Sequence, residues 1–165
     1  MKDRKKNRLD SFHYTSGYFF VTINVKNHHK VFWEIVEDEM ILNEYGKIVQ
    51  EKRLRLSKQY SYIKLYDFVV MPNHFHGIIY IDDVGNGRNA VLRYSLQQSI
   101  KWLSSIIWAF KTTSSKLIRK TWLKNFQRQK SFYDHIIRNE EDMNRIVEYI
   151  QRNPYKREND EYYTK

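Results

Sequence analysis

The chain has 165 residues, 41% hydrophobic and 29% charged, and its 29 Lys and Arg against 19 Asp and Glu leave a net charge of +10. That length and composition suit one globular domain with a core of its own, and the charge points to a polyanionic partner, nucleic acid ahead of a membrane surface. The lack of cysteine excludes disulfides and thiolate metal sites; without a run of ~18 apolar residues or a signal-type start, a cytoplasmic protein with no membrane partner is expected.

Residues 1–16 are polar and basic and read as a flexible arm; the folded domain is expected over 17–154, and residues 155–165 as a loose charged tail. Positions 18–25, rich in aromatic and β-branched residues, predict a first strand, and 31–36 with 40–42 a small peripheral hairpin. Asn43 can cap a helix running to about position 60, with Tyr45, Ile48, Leu54 and Leu56 apolar and Lys47, Lys52, Arg53, Arg55 and Lys58 on its exposed side.

A strand follows over 62–70, and after a Met71-Pro72-Asn73 break comes His74-Phe75-His76-Gly77-Ile78-Ile79-Tyr80-Ile81. Side chains alternate faces along a strand, so His74 and His76 point the same way and Phe75 the other. Two neighbouring imidazoles suit a metal ion, but His-x-His alone fits two ordinary polar-face histidines as well.

Turn residues fill 82–89, and the period of Leu96, Ile100, Leu103, Ile107, Phe110, Ser114 and Leu117 predicts a long helix over 96–118 with one face on the sheet. Its tryptophans, Trp102 and Trp108, are read as core or interface packing in preference to base stacking. From position 84 to 133 there is no Asp or Glu, while Arg88, Arg93, Lys101, Lys111, Lys116, Arg119, Lys120, Lys124, Arg128 and Lys130 supply ten positive charges. A solvated helix usually mixes signs on its exposed face, so a one-signed stretch this long predicts phosphate contacts.

An irregular basic linker over 122–132 and a short extended piece over 132–138 precede the last helix, which Asn139 caps with Glu140, Glu141 and Asp142 in its first turn, an Asn-x-x-Asp approximation to a capping box. Pro154 ends it, and Met143, Ile146, Val147 and Ile150 form its core face. At 100° per residue Tyr149 lies roughly 110° and Asn153 roughly 70° from the centre of that face. As an i, i+4 pair they offer a phenol and an amide together, beside Arg145 and Arg152. A tyrosine next to a metal and arginines can attack a phosphodiester; a boundary tyrosine can equally be packing.

Met71-Pro72-Asn73-His74-Phe75-His76-Gly77, followed by Phe132-Tyr133-Asp134-His135-Ile136-Ile137-Arg138-Asn139 and by Tyr149-Ile150-Gln151-Arg152-Asn153-Pro154, closely resembles the single-tyrosine HUH transposases, in particular the REP-associated tyrosine transposases. The likeness runs from about Gly17 to Pro154 and includes Leu42-Asn43-Glu44-Tyr45-Gly46-Lys47-Ile48-Val49.

The resemblance implies an α+β fold: a ferredoxin-like or RRM-like antiparallel sheet with packed helices, the two histidines on a central strand. It maps the nucleophile to Tyr149 and the metal ligands to His74, His76 and Asn153, with Mg²⁺ or Mn²⁺ as cofactor. The implied activity is metal-dependent cleavage and transfer of hairpin-containing single-stranded DNA through a 5′-phosphotyrosine; His135 is read first as a structural contact. A non-catalytic RRM-like binding module and a metal phosphodiesterase using activated water are the alternatives, and monomer and homodimer both stay open.

Overall fold

The computed structural model describes residues 16–36, 39–82 and 103–154. The predicted arm and tail, the loop after position 82 and the start of the predicted long helix, with Arg88, Arg93, Lys101 and Trp102, lie outside the described residues.

Strand β1 (Gly17–Asn24) is followed by a hairpin of β2 (Trp33–Val36) and β3 (Glu39–Leu42), then helix α1 (Glu44–Gln59), strands β4 (Ile63–Val70) and β5 (His74–Ile81), helix α2 (Leu103–Lys120), strand β6 (Tyr133–Ile137) and helix α3 (Glu140–Arg152). Four strands form one antiparallel sheet in the order β4-β5-β1-β6, and the hairpin forms a separate two-stranded sheet. With the hairpin set aside the order is βαββαβ with β1 and β5 central, a ferredoxin-like α+β sheet.

Period-two alternation gives the sheet two different faces. Phe19, Val21 and Ile23 of β1 and Phe75, Ile79 and Ile81 of β5 pack with Val49 and Leu56 of α1 and Ile106, Ile107 and Phe110 of α2. On the opposite face Phe20, Ile78 and Ile137 pack with Ile146 and Ile150 of α3. The histidines, in step with Ile78, therefore face α3.

The cap of α1 forms as its sequence predicts: Asn43 Oδ1 accepts from the Tyr45 and Gly46 amides, and its Nδ2 donates to the Val31 carbonyl. The buried stripe of α1, however, is Gly46, Val49, Arg53 and Leu56, whereas Leu54 is 48% exposed. Arg53 is thus not on the exposed side. Its Nη2 donates to the Tyr66 carbonyl, its guanidinium lies 4.1 Å from the centre of the Phe68 ring, and burial pulls its pKa down to about 10, with Asp67 acting in the other direction.

The reason lies in β4, where the pairing with β5 shifts between Leu65 and Phe68. This bulge takes Tyr66 and Asp67 out of the ladder. Arg53 of α1 satisfies the carbonyl of Tyr66 on one side, and Gln151 Nε2 of α3 donates to Asp67 Oδ1 at 3.1 Å. One irregularity anchors a helix on each face.

Helix α2 buries Leu103, Ile106, Ile107, Phe110, Ser114, Ser115 and Ile118. Trp108 is 68% exposed, so packing within this chain's core does not account for it. In α3, Asn139 Oδ1 accepts from the Asp142 amide as predicted, while the two oxygens of Asp142 accept from His135 Nε2 at 2.7 Å and Arg145 Nη2 at 2.6 Å. His135 is a structural contact that pins β6 to the first turn of α3.

Candidate active site

Two sheet strands and one helix build the site. The ladder of β1 on β5 puts Thr22 opposite His76 and Asn24 opposite His74, and α3 lays Tyr149 over them. All four sheet residues are buried, the two histidines to 1% exposure. Gly77, the next residue of β5, leaves room for the Phe75 ring, whose Cζ would sit 2.7 Å from an added Cβ. Its smallness lets the strand bury Phe75 in the core directly behind the histidines.

The hydrogen bonds orient both rings. Asn73 Nδ2 donates to the His28 carbonyl at 3.3 Å, which turns Oδ1 toward His74 Nδ1 at 2.7 Å. An amide oxygen only accepts, so His74 carries its proton on Nδ1 and presents a lone pair at Nε2. His76 Nδ1 lies 2.8 Å from Thr22 Oγ1, which leaves its Nε2 facing the same space.

The two Nε2 atoms are 2.9 Å apart. Donors set at a right angle around one ion at ~2.1 Å are ~3.0 Å apart, so this pair fits two adjacent positions of a six-coordinate cation. Among the described residues no group of three His, Cys, Asp or Glu surrounds such a point, so further donors must be neutral oxygens. Asn153 qualifies: it is buried to 4% exposure and its Nδ2 has no hydrogen-bond partner. A half-turn of the amide exchanges that nitrogen for Oδ1, the atom a cation takes.

Tyr149 is 39% exposed, and its hydroxyl lies 3.2 Å from His76 Nε2. Its ring meets His76 and Phe20 edge-on, at 5.2 and 6.1 Å between centres, while Phe20 stacks on His76 at 5.3 Å. The phenol oxygen is thus held at His76 Nε2 on a residue that is partly open to solvent.

The basic residues divide. Lys116, Arg119, Lys120, Lys124 and Lys130 are exposed, as are Arg145 and Arg152, which pair within α3 with Asp142 and Glu148. Lys111 turns inward; its Nζ donates to the carbonyls of Gln129, Lys130 and Ser131 at 2.6, 2.9 and 3.2 Å, and burial, with Arg128 nearby, lowers its pKa to about 8. Arg128 is buried at 9% exposure among the rings of Phe32, Phe110 and Phe126, and burial lowers its pKa to about 9. Neither is presented to a phosphate. Sequence reasoning missed Thr22, whose signal was a polar residue in step with Phe20 on an otherwise largely apolar β1.

No family model matches the chain. An uncharacterized protein of Haemophilus influenzae is 34% identical over 167 aligned positions, covering 97% of this chain and 93% of its own length. The chain belongs to one family with that Haemophilus protein. Among solved structures it is similar to a REP-associated tyrosine transposase bound to a REP hairpin, at a TM-score of 0.63 and 20% identity, covering 91% of this chain and 73% of that one. A Deinococcus radiodurans R1 protein assigned as a transposase aligns at a TM-score of 0.50 and 15% identity, over 90% of this chain and 96% of that one. The fold of this family is therefore the transposase fold.

Proposed function

We propose that this chain is a transposase that cuts and rejoins hairpin-containing single-stranded DNA, with Tyr149 as nucleophile and His74, His76 and Asn153 as ligands of Mg²⁺ or Mn²⁺. The observation that carries the reading is the 3.2 Å approach of the Tyr149 hydroxyl to His76 Nε2, itself 2.9 Å from His74 Nε2. A packing tyrosine has no need of that contact. The hairpin bound to the structural neighbour and the exposed cations of α2 and the following linker support DNA as the substrate.

When bound, the cation would supply Lewis-acid polarisation of the scissile phosphate and offset its charge. The protein's own part is positional. Phe20 and His76 fix the phenol ring, so that Tyr149 Oη meets the phosphorus in line: the Oη–P bond forms, the P–O3′ bond breaks, and the phenol proton ends on the departing 3′ oxygen. The resulting tyrosyl phosphodiester keeps the bond reactive, so a second 3′-hydroxyl reverses the step and joins a new strand. A free phenol has a pKa near 10, so a cation held by the histidines would be what favours the phenolate; Arg145 and Arg152 on the same helix are paired with Asp142 and Glu148.

The test is incubation with end-labelled single-stranded hairpin DNAs and Mn²⁺, read on a denaturing gel for label joined to protein. A covalent band in wild type that is lost in Tyr149→Phe and with chelator is the expected result. Cleavage without such a band assigns the chemistry to activated water, and binding without cleavage to a non-catalytic module.

A further inference from the structure

We infer that Trp108 and Trp122 are stacking platforms for unpaired bases of single-stranded DNA, set at the two ends of the cationic outer face of α2. This rests on the DNA reading proposed above and extends it from phosphates to the bases themselves.

The chain uses tryptophan in two ways. Trp33 packs partly buried against the main core, and its indole N–H donates to the Val70 carbonyl at 2.6 Å. Trp108 and Trp122 are instead 68% and 87% exposed, the most open large hydrophobic side chains among the described residues. One exposed apolar residue needs no explanation. Two that bracket a row of cations call for one.

Helix geometry draws that row. At 100° per residue, Arg119, Thr112 and Lys116 lie ~20°, ~40° and ~80° around α2 from Trp108, and all are exposed. The stripe through Ile107, Phe110, Ser114 and Ile118 is buried on the other side. Helical bonding continues past Lys120, the Thr121 amide donating to the Leu117 carbonyl, and Trp122 follows at once between the exposed Lys120 and Lys124. From Trp108 to Lys120 the helix rises ~18 Å. That length holds about five stacked nucleotides at ~3.4 Å each.

The neighbours of the two rings select the partner. Cations interleaved with aromatic rings suit a single strand, whose phosphates meet the charges while its bases stack on the rings. In a duplex those base faces are already stacked on one another. A protein partner fits less well, because Thr112, Lys116 and Arg119 separate the tryptophans where an interface core would be apolar and poor in charge. A second copy laid face to face would set like charges together, since no Asp or Glu occurs from position 84 to 133. Helix α2 packs on the sheet face that buries Phe75, away from the histidines, so the platforms act on affinity and not on the cleavage step.

Fluorescence anisotropy at low salt with two labelled probes of about twenty units, oligodeoxythymidylate and an abasic strand carrying the same phosphates, tests the inference. Trp122→Leu should weaken oligodeoxythymidylate binding about ten-fold, the usual loss for one stacked base, and leave abasic-strand binding unchanged. The salt slope should also stay, since no phosphate contact is removed. Trp108→Leu should repeat the pattern, Trp122→Phe should recover most of the affinity, and thermal melts check that the variants fold. Oligodeoxythymidylate binding left intact by both Leu variants, or an equal loss on the two probes, would overturn the platforms and spare the DNA reading. Self-association of the wild type that Trp122→Leu abolishes, with DNA affinity unchanged, would reassign the surface to a second copy. Failure of the wild type to bind either strand would sink the DNA reading and the platforms together.

Discussion

Thr22 Oγ1 lies 2.8 Å from Nδ1 of His76, on the side of the imidazole away from the Tyr149 hydroxyl. A hydroxyl can accept from Nδ1–H, which holds the His76 lone pair at Nε2. Outer partners of this kind typically contribute 10–100-fold to metal affinity. Thr22→Val, close in volume and lacking the hydroxyl, should therefore lower Mn²⁺ affinity by about ten-fold, with Thr22→Ser retaining most of it. Equal affinities for Val and Ser would show that the contact has no part in orienting the ring.

The inward turn of Arg128 separates packing from DNA contact in a stretch where the sequence suggested only the latter. Replacing Lys116, Arg119 and Lys120 together by Gln should weaken single-stranded DNA binding and flatten its salt dependence by about two units of slope, at ~0.7 per lost phosphate contact. Arg128→Met should leave both affinity and slope unchanged. Fluorescence anisotropy across a salt series distinguishes the two, and a changed slope for Arg128→Met would place that guanidinium on the DNA.

The Asp142 carboxylate provides a stability prediction with a definite sign. Burial alone would raise its pKa, but hydrogen bonds from His135 and Arg145, and their charges, hold it below the ordinary 3.8. A carboxyl lowered in the folded state binds fewer protons there than in the unfolded chain, so its contribution is present at neutral pH and fades as pH falls through the folded value. Asp142→Asn should cost ~1–3 kcal/mol at pH 7, in line with hydrogen bonds to charged groups, and progressively less below about pH 4. Urea denaturation at the two pH values measures it; a constant difference would contradict the assignment.

Gly46 sits inside α1, where alanine normally stabilises a helix by ~1 kcal/mol. Here an added Cβ would run into the backbone oxygen of Phe32 and come within 2.7 Å of Leu42 Cδ2. Backbone cannot swing aside as a side chain can, so Gly46→Ala should instead destabilise by about 1–3 kcal/mol, the usual cost of overpacking. A raised melting temperature would show that the hairpin moves away without penalty.

What was legible in the sequence was whatever depends on local chemistry. Asn43 and Asn139 mark helix starts because their side chains bond amides two or three residues on, and the run at Phe19 to Ile23 reads as a strand because its residue types suit a pleated surface. What escaped depends on partners distant in the chain. Arg53 and Arg128 count as surface charges until the Tyr66 carbonyl and the ring of Phe32 are seen to enclose them. Thr22 gains meaning only from the register of β1 on β5, which sets it against His76. Trp108 is exposed because the stripe that α2 buries runs through Ile106, Ile107 and Phe110 and leaves it on the other side.

The bulge in β4 has a second effect, at the margin of the sheet. β4 is an edge strand of eight residues, and an edge of that length offers unpaired amides and carbonyls on which another chain can add. The shift between Leu65 and Phe68 breaks the regular spacing of that edge, Arg53 occupies the carbonyl of Tyr66, and the exposed Lys64 adds a charge that an incoming strand would have to accommodate. The distortion that fastens two helices also discourages the sheet from recruiting copies of itself, protecting a basic, aromatic-rich chain against edge-to-edge aggregation.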